Sequence, residues 1–239
     1  MASSGELRGR AALVTGASGG IGLAISRRLA ADGARVWMMA RAADRLDRAA
    51  REVGDGAIAV AGDASHPAAV DRLRDRVAAA GGVDIVVNAA GAFALAPVAE
   101  TDPSMFDRTI AANLRAPFLV IRAFLPALLA AGSGHIVTIG SVAGRVAFPE
   151  NGAYSASKFG VRGLHAVLEE ELRGTGVRST LIEAAATDTR MWDPIRPEMR
   201  SDLPDRDAML PADAVADAVH YTLTRPADTH VPILAIRRS

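Results

Sequence analysis

Short apolar runs alternate along the chain with longer segments whose apolar residues recur at helical spacing. The runs predict strands at Ala11–Thr15, Arg35–Ala40, Ala57–Ala61, Val83–Val87, His135–Ile139, Val177–Ile182 and Val231–Ile236. The longer segments predict helices at about Gly20–Ala31, through Asp44, Leu46 and Arg48, at Pro67–Ala80, at Pro103–Ala130 with a bend near Pro117, at Tyr154–Arg173 and at Pro211–Thr224.

Strands that alternate with helices form βαβ units. The sequence therefore predicts the α/β class, with a doubly wound, mostly parallel, Rossmann-like sheet covered on both faces. No repeat or change of composition marks a second domain, so residues 1–239 are predicted to form a single dinucleotide-binding oxidoreductase domain. Residues 187–210 are irregular and rich in Pro and charge, which is typical of a functional lid, and we predict a substrate loop there.

Composition narrows the function classes. The 27 basic and 27 acidic residues cancel, so no basic field predicts a nucleic-acid or membrane partner. Cysteine is absent, which excludes disulfides and thiolate chemistry, and the five histidines form no metal-ligand pair. The N-terminal segment Met1–Arg10 is polar and too short for a signal peptide, and charge or Gly interrupts the apolar runs. We therefore expect a cytoplasmic protein without a membrane span.

A Gly-rich segment, Thr15-Gly16-Ala17-Ser18-Gly19-Gly20-Ile21-Gly22, lies between the first predicted strand and the first predicted helix. Glycines in that position let backbone amides approach a pyrophosphate, whose charge the helix N-terminus favours. The spacing is Gly-x-x-x-Gly-x-Gly and differs from the ordinary dinucleotide fingerprint Gly-x-Gly-x-x-Gly. A Gly-rich turn without a ligand is the alternative.

This variant is accompanied by Asn88-Ala89-Ala90-Gly91, Asn113, Ser141 and Tyr154-x-x-x-Lys158. In this order and spacing, the motifs resemble those of the compact branch of the short-chain dehydrogenase/reductase family over essentially the whole chain. Tyr154 and Lys158 fall one turn apart on one face of a helix.

The resemblance implies a hydride-transfer site. Tyr154 would be the acid/base, Ser141 would hold and polarise the substrate oxygen, and Lys158 would tune Tyr154 and bind the nicotinamide ribose. Asn113 would support a proton-relay water near Lys158. The chemistry fits these residue types, because a carbonyl that accepts hydride needs a proton donor, and a neighbouring cation is expected to lower the pKa of a tyrosine.

The resemblance also implies a set of cofactor-binding residues: Gly16, Ser18, Gly20, Ile21, Gly22, Arg41, Asp63, Ala64, Asn88, Ala90, Tyr154, Lys158, Thr187 and Thr189. Asp63 would bond the adenine amino group, and Asn88 would tie neighbouring strands together. The segment Met39-Ala40-Arg41 carries a cation where NAD-type folds carry a carboxylate, which favours NADP(H) over NAD(H). A solvated Arg41 is the alternative.

One departure concerns the loop after the sixth strand. Ala184 and Ala185 stand where the family usually has Pro-Gly, whereas Thr189 matches the family Thr. An alanine in place of a glycine with positive φ costs about 1 kcal/mol or more, so we expect a strained loop and impaired nicotinamide binding.

The sequence thus predicts an NADP(H)-dependent oxidoreductase that acts on a secondary alcohol, ketone or aldehyde. A catalytically weak cofactor-binding regulator, and a sugar epimerase or dehydratase, remain as alternatives. The fold would surround the small-molecule substrate with Phe93, Arg145, Phe148, Arg190, Met191 and Trp192. The family implies a homo-oligomer, a tetramer or dimer, for which the compatible apolar positions are Leu114, Phe118, Ile121, Leu164, Val167 and Leu168.

Overall fold

The computed structural model describes residues 5–239 and forms one doubly wound α/β domain, as predicted. Residues 1–4 of the polar N-terminal segment lie outside the described residues. Seven parallel strands pair in the order β3-β2-β1-β4-β5-β6-β9. Their bounds are β1 Ala11–Thr15, β2 Arg35–Ala40, β3 Ala57–Ala61, β4 Ile85–Asn88, β5 Gly134–Ile139, β6 Val177–Ala184 and β9 Ile233–Ile236. Two further strands, β7 Thr187–Asp188 and β8 Leu210–Pro211, pair with each other.

Helices cover both faces of the sheet. They are α1 Gly20–Ala31, α2 Ala43–Val53, α3 Pro67–Ala79, α4 Pro103–Ile110, α5 Ala116–Ala131, α6 Gly152–Glu171 and α7 Ala212–Leu223. A π-helical turn, Ala111–Arg115, joins α4 to α5. Pro117, near which the sequence predicted a bend, is the second residue of α5, which directly follows this turn, so the interruption of the regular helical pattern lies close to the predicted position.

The sheet is buried between two apolar layers, which explains why its central strands read as continuous apolar runs. All five residues of β1 are buried. Ala12 and Val14 face the layer that includes residues of α1, α2 and α7, and Leu13 faces the layer that includes residues of α3, α5 and α6. Because both faces of the sheet are packed against helices, the carboxyl ends of the strands are held in fixed positions relative to one another.

Among the described residues, the helical stretch Pro103–Ala131 is the one helix that is long and apolar enough by composition to cross a membrane. Its inner face packs against the sheet through Val120, Phe124 and Leu128. Core helices of water-soluble domains pass the same compositional test, and the packing accounts for these three apolar side chains.

One group of carboxylates and histidine among the described residues, Glu6, Asp32 and His220, is compact enough to suggest a metal site. His220 Nε2 lies 2.9 Å from Asp32 Oδ2, and His220 Nδ1 lies 3.1 Å from Arg28 Nη2. Both ring nitrogens therefore have hydrogen-bond partners. The group joins α1 to α7 as a polar network.

The predicted substrate loop is held together by polar contacts. The pairing of β7 with β8 closes its two ends. Arg206 contacts Asp188 at 2.8 Å and Asp193 at 2.6 Å, and Arg200 contacts Glu150 at 2.7 Å, beside the start of α6. These contacts tie the segment together and attach it to the residues before α6.

Candidate active site

A cleft of about 1500 Å³ opens at the carboxyl edge of the sheet, around the adjacent strands β1 and β4. The strand order reverses there, and doubly wound sheets bind ligands at such a switch point. Of the predicted site residues, the cleft brings together Gly16, Ser18, Gly20, Ile21, Gly22, Arg41, Asp63, Ala64, Ala90, Asn113, Ser141, Tyr154, Lys158, Thr187 and Thr189. Asn88 lies behind this lining.

The Gly-rich turn leads from β1 into the N-terminus of α1. Gly16 has a φ of +70°, and a Cβ there would lie 2.7 Å from the Cα of Ala90. A Cβ on Gly22 would lie 2.5 Å from the carbonyl oxygen of Gly16. Only glycine fits these two positions, and the resulting backbone cradle at a helix N-terminus suits a pyrophosphate.

Behind the cradle, polar side chains join neighbouring strands. Thr15 Oγ1 accepts hydrogen bonds of 3.2 Å from the amides of both Ala89 and Ala90. Asn88 is 4% exposed and donates to Thr138 Oγ1 at 3.4 Å. Asn88 thus links β4 to β5, in agreement with the strand-tying role expected from the sequence.

Two predicted adenosine-side residues lie at the ends of β2 and β3. Arg41 is exposed at the rim of the cleft. Asp63 accepts hydrogen bonds from the amide and the hydroxyl of Ser65, at 2.9 and 2.8 Å. Burial opposes ionisation of Asp63, but these bonds and the charge of Arg41 lower the pKa of its carboxyl below the usual value. Arg41 and Asp63 are thus close enough to interact.

Ser141 and Tyr154 meet across the cleft. Ser141 follows β5 and begins a 3-10 turn, Val142–Gly144, where its hydroxyl accepts a bond of 3.1 Å from the amide of Ala143. Burial raises the pKa of Tyr154, and a hydrogen bond with the Ser141 side chain partly opposes that rise. The pKa of Tyr154 is therefore raised, and the lowering expected from the sequence is wrong.

Lys158 lies one turn after Tyr154 on α6 and is 7% exposed. Its ammonium is 5.7 Å from the centroid of the Tyr154 ring and donates to the carbonyl oxygen of Ile139 at 2.8 Å. Burial lowers the pKa of Lys158 to about 8. At Tyr154, burial raises the pKa of the hydroxyl more than the interaction with Ser141 lowers it.

Asn113 occupies the π-helical turn and is 2% exposed. Its side-chain oxygen accepts from the amide of Ala92 at 2.7 Å, and its side-chain nitrogen donates to the carbonyl of Ala92 and to Ser157 Oγ, both at 2.9 Å. The side chain therefore anchors the turn to the loop after β4 and to α6.

The loop after β6 lines the far end of the cleft. Among the described non-glycine residues only Glu150 and Arg196 have positive φ, so the predicted strain at Ala185 is wrong. The Ala185 amide instead donates to the carbonyl of Ile236, the last residue of β9, at 3.0 Å. Further along, the hydroxyl of Thr189 accepts from the amide of Met191 at 3.3 Å.

The two ends of the cleft meet near the Gly-rich turn. Thr187 is 6% exposed and donates through its hydroxyl to the carbonyl of Ala185 at 2.9 Å. A Cβ on Gly20 would lie 3.2 Å from the Thr189 methyl carbon. The predicted phosphate-binding and nicotinamide-binding segments are therefore in direct contact.

Comparisons with known proteins agree with this geometry. The sequence profile of the family described as short chain dehydrogenase matches residues 10–200. This chain belongs to the short-chain dehydrogenase family. It is an oxidoreductase of that family, in keeping with the resemblance found in the sequence.

An uncharacterised oxidoreductase of Staphylococcus haemolyticus is 34% identical to this short-chain dehydrogenase over 97% of the chain and 98% of that protein. A D-threitol dehydrogenase of Mycolicibacterium smegmatis is 40% identical over 79% of this chain and 75% of that protein. The crystal structure of a metagenomic short-chain oxidoreductase in complex with NADP superimposes with a TM-score of 0.83 at 37% identity, covering 98% of this chain and 99% of that chain.

Aromatic side chains cover the tyrosine of this short-chain dehydrogenase. The Phe93 ring packs edge-on against Tyr154, with centroids 4.7 Å apart, and against Trp192, with centroids 4.9 Å apart. The Trp192 indole donates to the carbonyl of Thr187 at 3.1 Å, which fixes its orientation. Phe148, Arg190 and Met191 also line the cleft, as expected.

Arg145 does not join them. It forms an ion pair with Glu183, which sequence reasoning did not single out as a functional residue. The sequence did contain a signal for Glu183: it is an acidic residue in the otherwise apolar end of β6, and a buried carboxylate needs a charged or hydrogen-bonding partner. The hydrogen bond from Lys158 to the carbonyl of Ile139 could not be predicted from the sequence, because every residue type has a backbone carbonyl.

Proposed function

We propose that this short-chain dehydrogenase is an NADP(H)-dependent oxidoreductase that interconverts a ketone or aldehyde and the corresponding alcohol, with Tyr154 as the acid/base. One observation carries the proposal: Tyr154 lies close enough to Ser141 to interact with it and one turn from Lys158, in the same cleft as the Gly-rich turn. An acid/base, an oxygen-binding hydroxyl and a dinucleotide cradle are the parts that this reaction requires.

In the proposed reaction, a bound nicotinamide would supply or accept the hydride. During reduction the carbonyl oxygen gains negative charge, and the hydroxyls of Ser141 and Tyr154 would donate hydrogen bonds to it. Tyr154 would transfer its proton to that oxygen, which leaves an alcohol and a phenolate. The nearby ammonium of Lys158 would stabilise the phenolate, and the steps reverse during oxidation.

The proton would be replaced through the groups around Lys158. We retain the proposal that Asn113 supports a relay water there. Its side chain is committed to Ala92 and Ser157, so its contribution would be to hold the π-helical turn against α6. Such turns interrupt the regular helical hydrogen-bond pattern and are frequent at functional sites.

NADP(H) is the cofactor that we favour over NAD(H). Arg41 is exposed at the rim next to Asp63, and β2 ends without the carboxylate that usually binds a ribose 2′-hydroxyl. A guanidinium there suits a 2′-phosphate. The NADP-bound solved structure at 37% identity supports the same choice.

The substrate would carry an apolar substituent next to its carbonyl or hydroxyl carbon. Phe93, Phe148, Met191 and Trp192 supply an apolar wall on the open side of Tyr154. An apolar group placed there would gain from leaving water, whereas a second charged group would lose hydration.

The alternatives lose support from the structure and the comparisons. A catalytically weak regulator was suggested only by Ala184 and Ala185, and neither has the positive φ that would strain the loop. The relatives described above are named as oxidoreductases or dehydrogenases, which does not favour a sugar epimerase or dehydratase.

The test is turnover of NADPH and NADP+ with a panel of ketones, aldehydes and alcohols that differ in the size of the apolar substituent. Turnover that rises with that substituent supports the proposal. Absence of any turnover with tight cofactor binding would favour the regulator, and isomerisation of a sugar without net change in the cofactor would favour the epimerase.

We also propose a homo-oligomer, a tetramer or dimer, formed through α5 and α6. Phe118 is 47% exposed and Val167 is 57% exposed, and both are available for contact with another copy. Ile121 and Leu168, which the sequence suggested for the same surface, are instead buried in the core. Light scattering of the purified protein, with Val167→Asp as the disrupting variant, tests this proposal.

A further inference from the structure

Glu183 lies at the end of β6 with its carboxylate 3% exposed and two guanidiniums on it. Arg145 Nε is 3.0 Å from Oε2, and Arg162 Nη1 contacts Oε1. The two arginine side chains are 49% and 38% exposed. The carboxylate is therefore the buried centre of the group, and the guanidiniums approach it from the solvent side.

The three partners come from three different segments of the candidate active site. Arg145 follows the 3-10 turn that Ser141 begins. Arg162 lies one turn after Lys158 on α6. Glu183 itself directly precedes the loop that leads to Thr187 and Thr189.

These segments also touch directly. A Cβ on Gly144 would lie 2.9 Å from the carbonyl oxygen of Lys158, so the 3-10 turn and α6 are packed backbone to backbone. The amide of Gly140, just before Ser141, donates to the carbonyl of Ile182 at 2.8 Å, next to Glu183. A shift of any one segment would therefore change the distance between Ser141 and Tyr154.

A buried ion pair is weak evidence of stability, because an apolar replacement of similar volume is often as stable. Its bonds are directional, however, and it can fix one arrangement among several that are nearly as compact. At Glu183 the two ion pairs join three segments: the 3-10 turn after Ser141, the helix α6 that carries Tyr154 and Lys158, and the strand that leads into the nicotinamide-side loop.

We propose that Glu183 is a positioning residue that, through Arg145 and Arg162, sets the placement of the Ser141 turn and of α6 for catalysis. The inference rests on the proposed function. It also gives a role to Arg145, which the sequence placed around the substrate but which pairs with Glu183 and does not line the cleft.

Glu183→Gln tests the proposal by removing the charge while keeping the length. We expect kcat to fall about tenfold to a hundredfold, as is typical of misplacement by about 1 Å, while KM for the carbonyl substrate changes little. Circular dichroism and thermal unfolding verify that the variant is folded at the assay temperature. Glu170→Gln is the matched control, because it makes the same substitution in an exposed ion pair, between Glu170 and Arg173 at the end of α6.

Arg145→Met and Arg162→Met keep the proposal falsifiable if Glu183→Gln fails to fold. Each removes one partially exposed partner and is expected to lower kcat by severalfold, and the double variant should lose less than the product of the two effects if the partners act as one unit. Unchanged kcat in the folded Glu183→Gln protein, or in both arginine variants, would overturn the proposal.

A second readout needs no substrate or cofactor. Lys158 is the only lysine, so [ε-13C]lysine labelling reports it by a single side-chain NMR signal. Glu183→Asp keeps the charge but shortens the reach, and loosened packing would admit water to Lys158. We expect its titration midpoint to rise by roughly half a pH unit or more, whereas Glu170→Asp leaves it unchanged.

The two readouts separate the two proposals. If the wild-type protein reduces none of the carbonyl panel while Glu183→Asp still moves the lysine midpoint, the proposed function is wrong and the positioning of α6 by Glu183 stands. If the wild-type protein is active and Glu183→Asp leaves both kcat and the lysine midpoint unchanged, the positioning role is wrong.

Discussion

The Lys158 ammonium donates a hydrogen bond of 2.8 Å to the carbonyl oxygen of Ile139. Lys158 lies near the middle of α6, and Ile139 is the last residue of β5. The bond thus fixes a compact cation between the sheet edge and Tyr154. Every other basic side chain apart from histidine is arginine, so this position uses the rarer cation of the chain.

Lys158→Arg is expected to lower kcat/KM at least tenfold. The guanidinium is planar and its donors point elsewhere, so it cannot both reach Ile139 and lie beside Tyr154 as the ammonium does. Lys158→Met should be worse, because no cation remains. Steady-state kinetics with the best substrate of the panel measure both, and Arg173→Lys, an exposed exchange of the same two residue types, is the control.

The same lysine should make stability depend on pH. Burial lowers its pKa to about 8 in the folded protein, below the unfolded value of 10.5. Between these values the unfolded state binds more protons, so the contribution of Lys158 to stability rises with pH across this window. At pH values below this window, burial of the charged Lys158 lowers the free energy of unfolding by about 3 kcal/mol.

Urea unfolding of the wild type and of Lys158→Met at about pH 7 and about pH 10 measures this effect. The wild type should gain stability relative to the variant as the pH rises. A difference between the two proteins that is the same at both pH values would contradict the lowered lysine pKa.

Tyr154→Phe is expected to abolish reduction while cofactor binding persists. The ring, and with it the contact with Phe93, remains, but the transferable proton and the partner of Ser141 are lost. Turnover and NADPH fluorescence titration measure the two properties. Tyr221→Phe, at the other and 47% exposed tyrosine, should retain full activity. Near-wild-type turnover of Tyr154→Phe would show that another group is the acid.

Arg41→Ala should weaken the preference for NADPH over NADH. A charge-assisted hydrogen bond to the 2′-phosphate contributes on the order of 1.5 to 3 kcal/mol, or roughly ten- to a hundredfold in affinity. The measurement is kcat/KM with each cofactor for the wild type, Arg41→Ala and the surface control Arg51→Ala. A wild-type enzyme with a higher kcat/KM for NADH than for NADPH would contradict the proposal that Arg41 selects NADP(H).

Ala185→Gly should not improve cofactor binding. Ala185 has no positive φ, so a glycine there relieves no strain and only adds freedom to the unfolded chain. We expect a loss of about 0.5 to 1 kcal/mol in unfolding free energy and unchanged or weaker NADPH affinity. Tighter NADPH binding by the variant would show that Ala185 strains this loop and impairs nicotinamide binding after all.

Much of the fold could be predicted because its signals are local. The bounds of β1, β2 and β3 agree with the prediction residue for residue, since each strand is a short apolar run between turn residues. The spacing of Tyr154 and Lys158 places them on one helix face whatever surrounds the helix. The Gly-rich turn is partly local, because Gly16 has a positive φ and Gly22 packs against Gly16, whereas the closeness of Gly16 to Ala90 depends on the packing of β1 beside β4.

What only the tertiary structure decided involves residues distant in sequence. The pairing of Glu183 with Arg145 and Arg162, and the anchoring of Asn113 on Ala92, depend on which elements pack together. The raised pKa of Tyr154 likewise comes from burial by the whole domain. Pattern and spacing report backbone preferences over a few residues, whereas burial, partner choice and φ in a loop are set by the packing of the complete sheet and its helices.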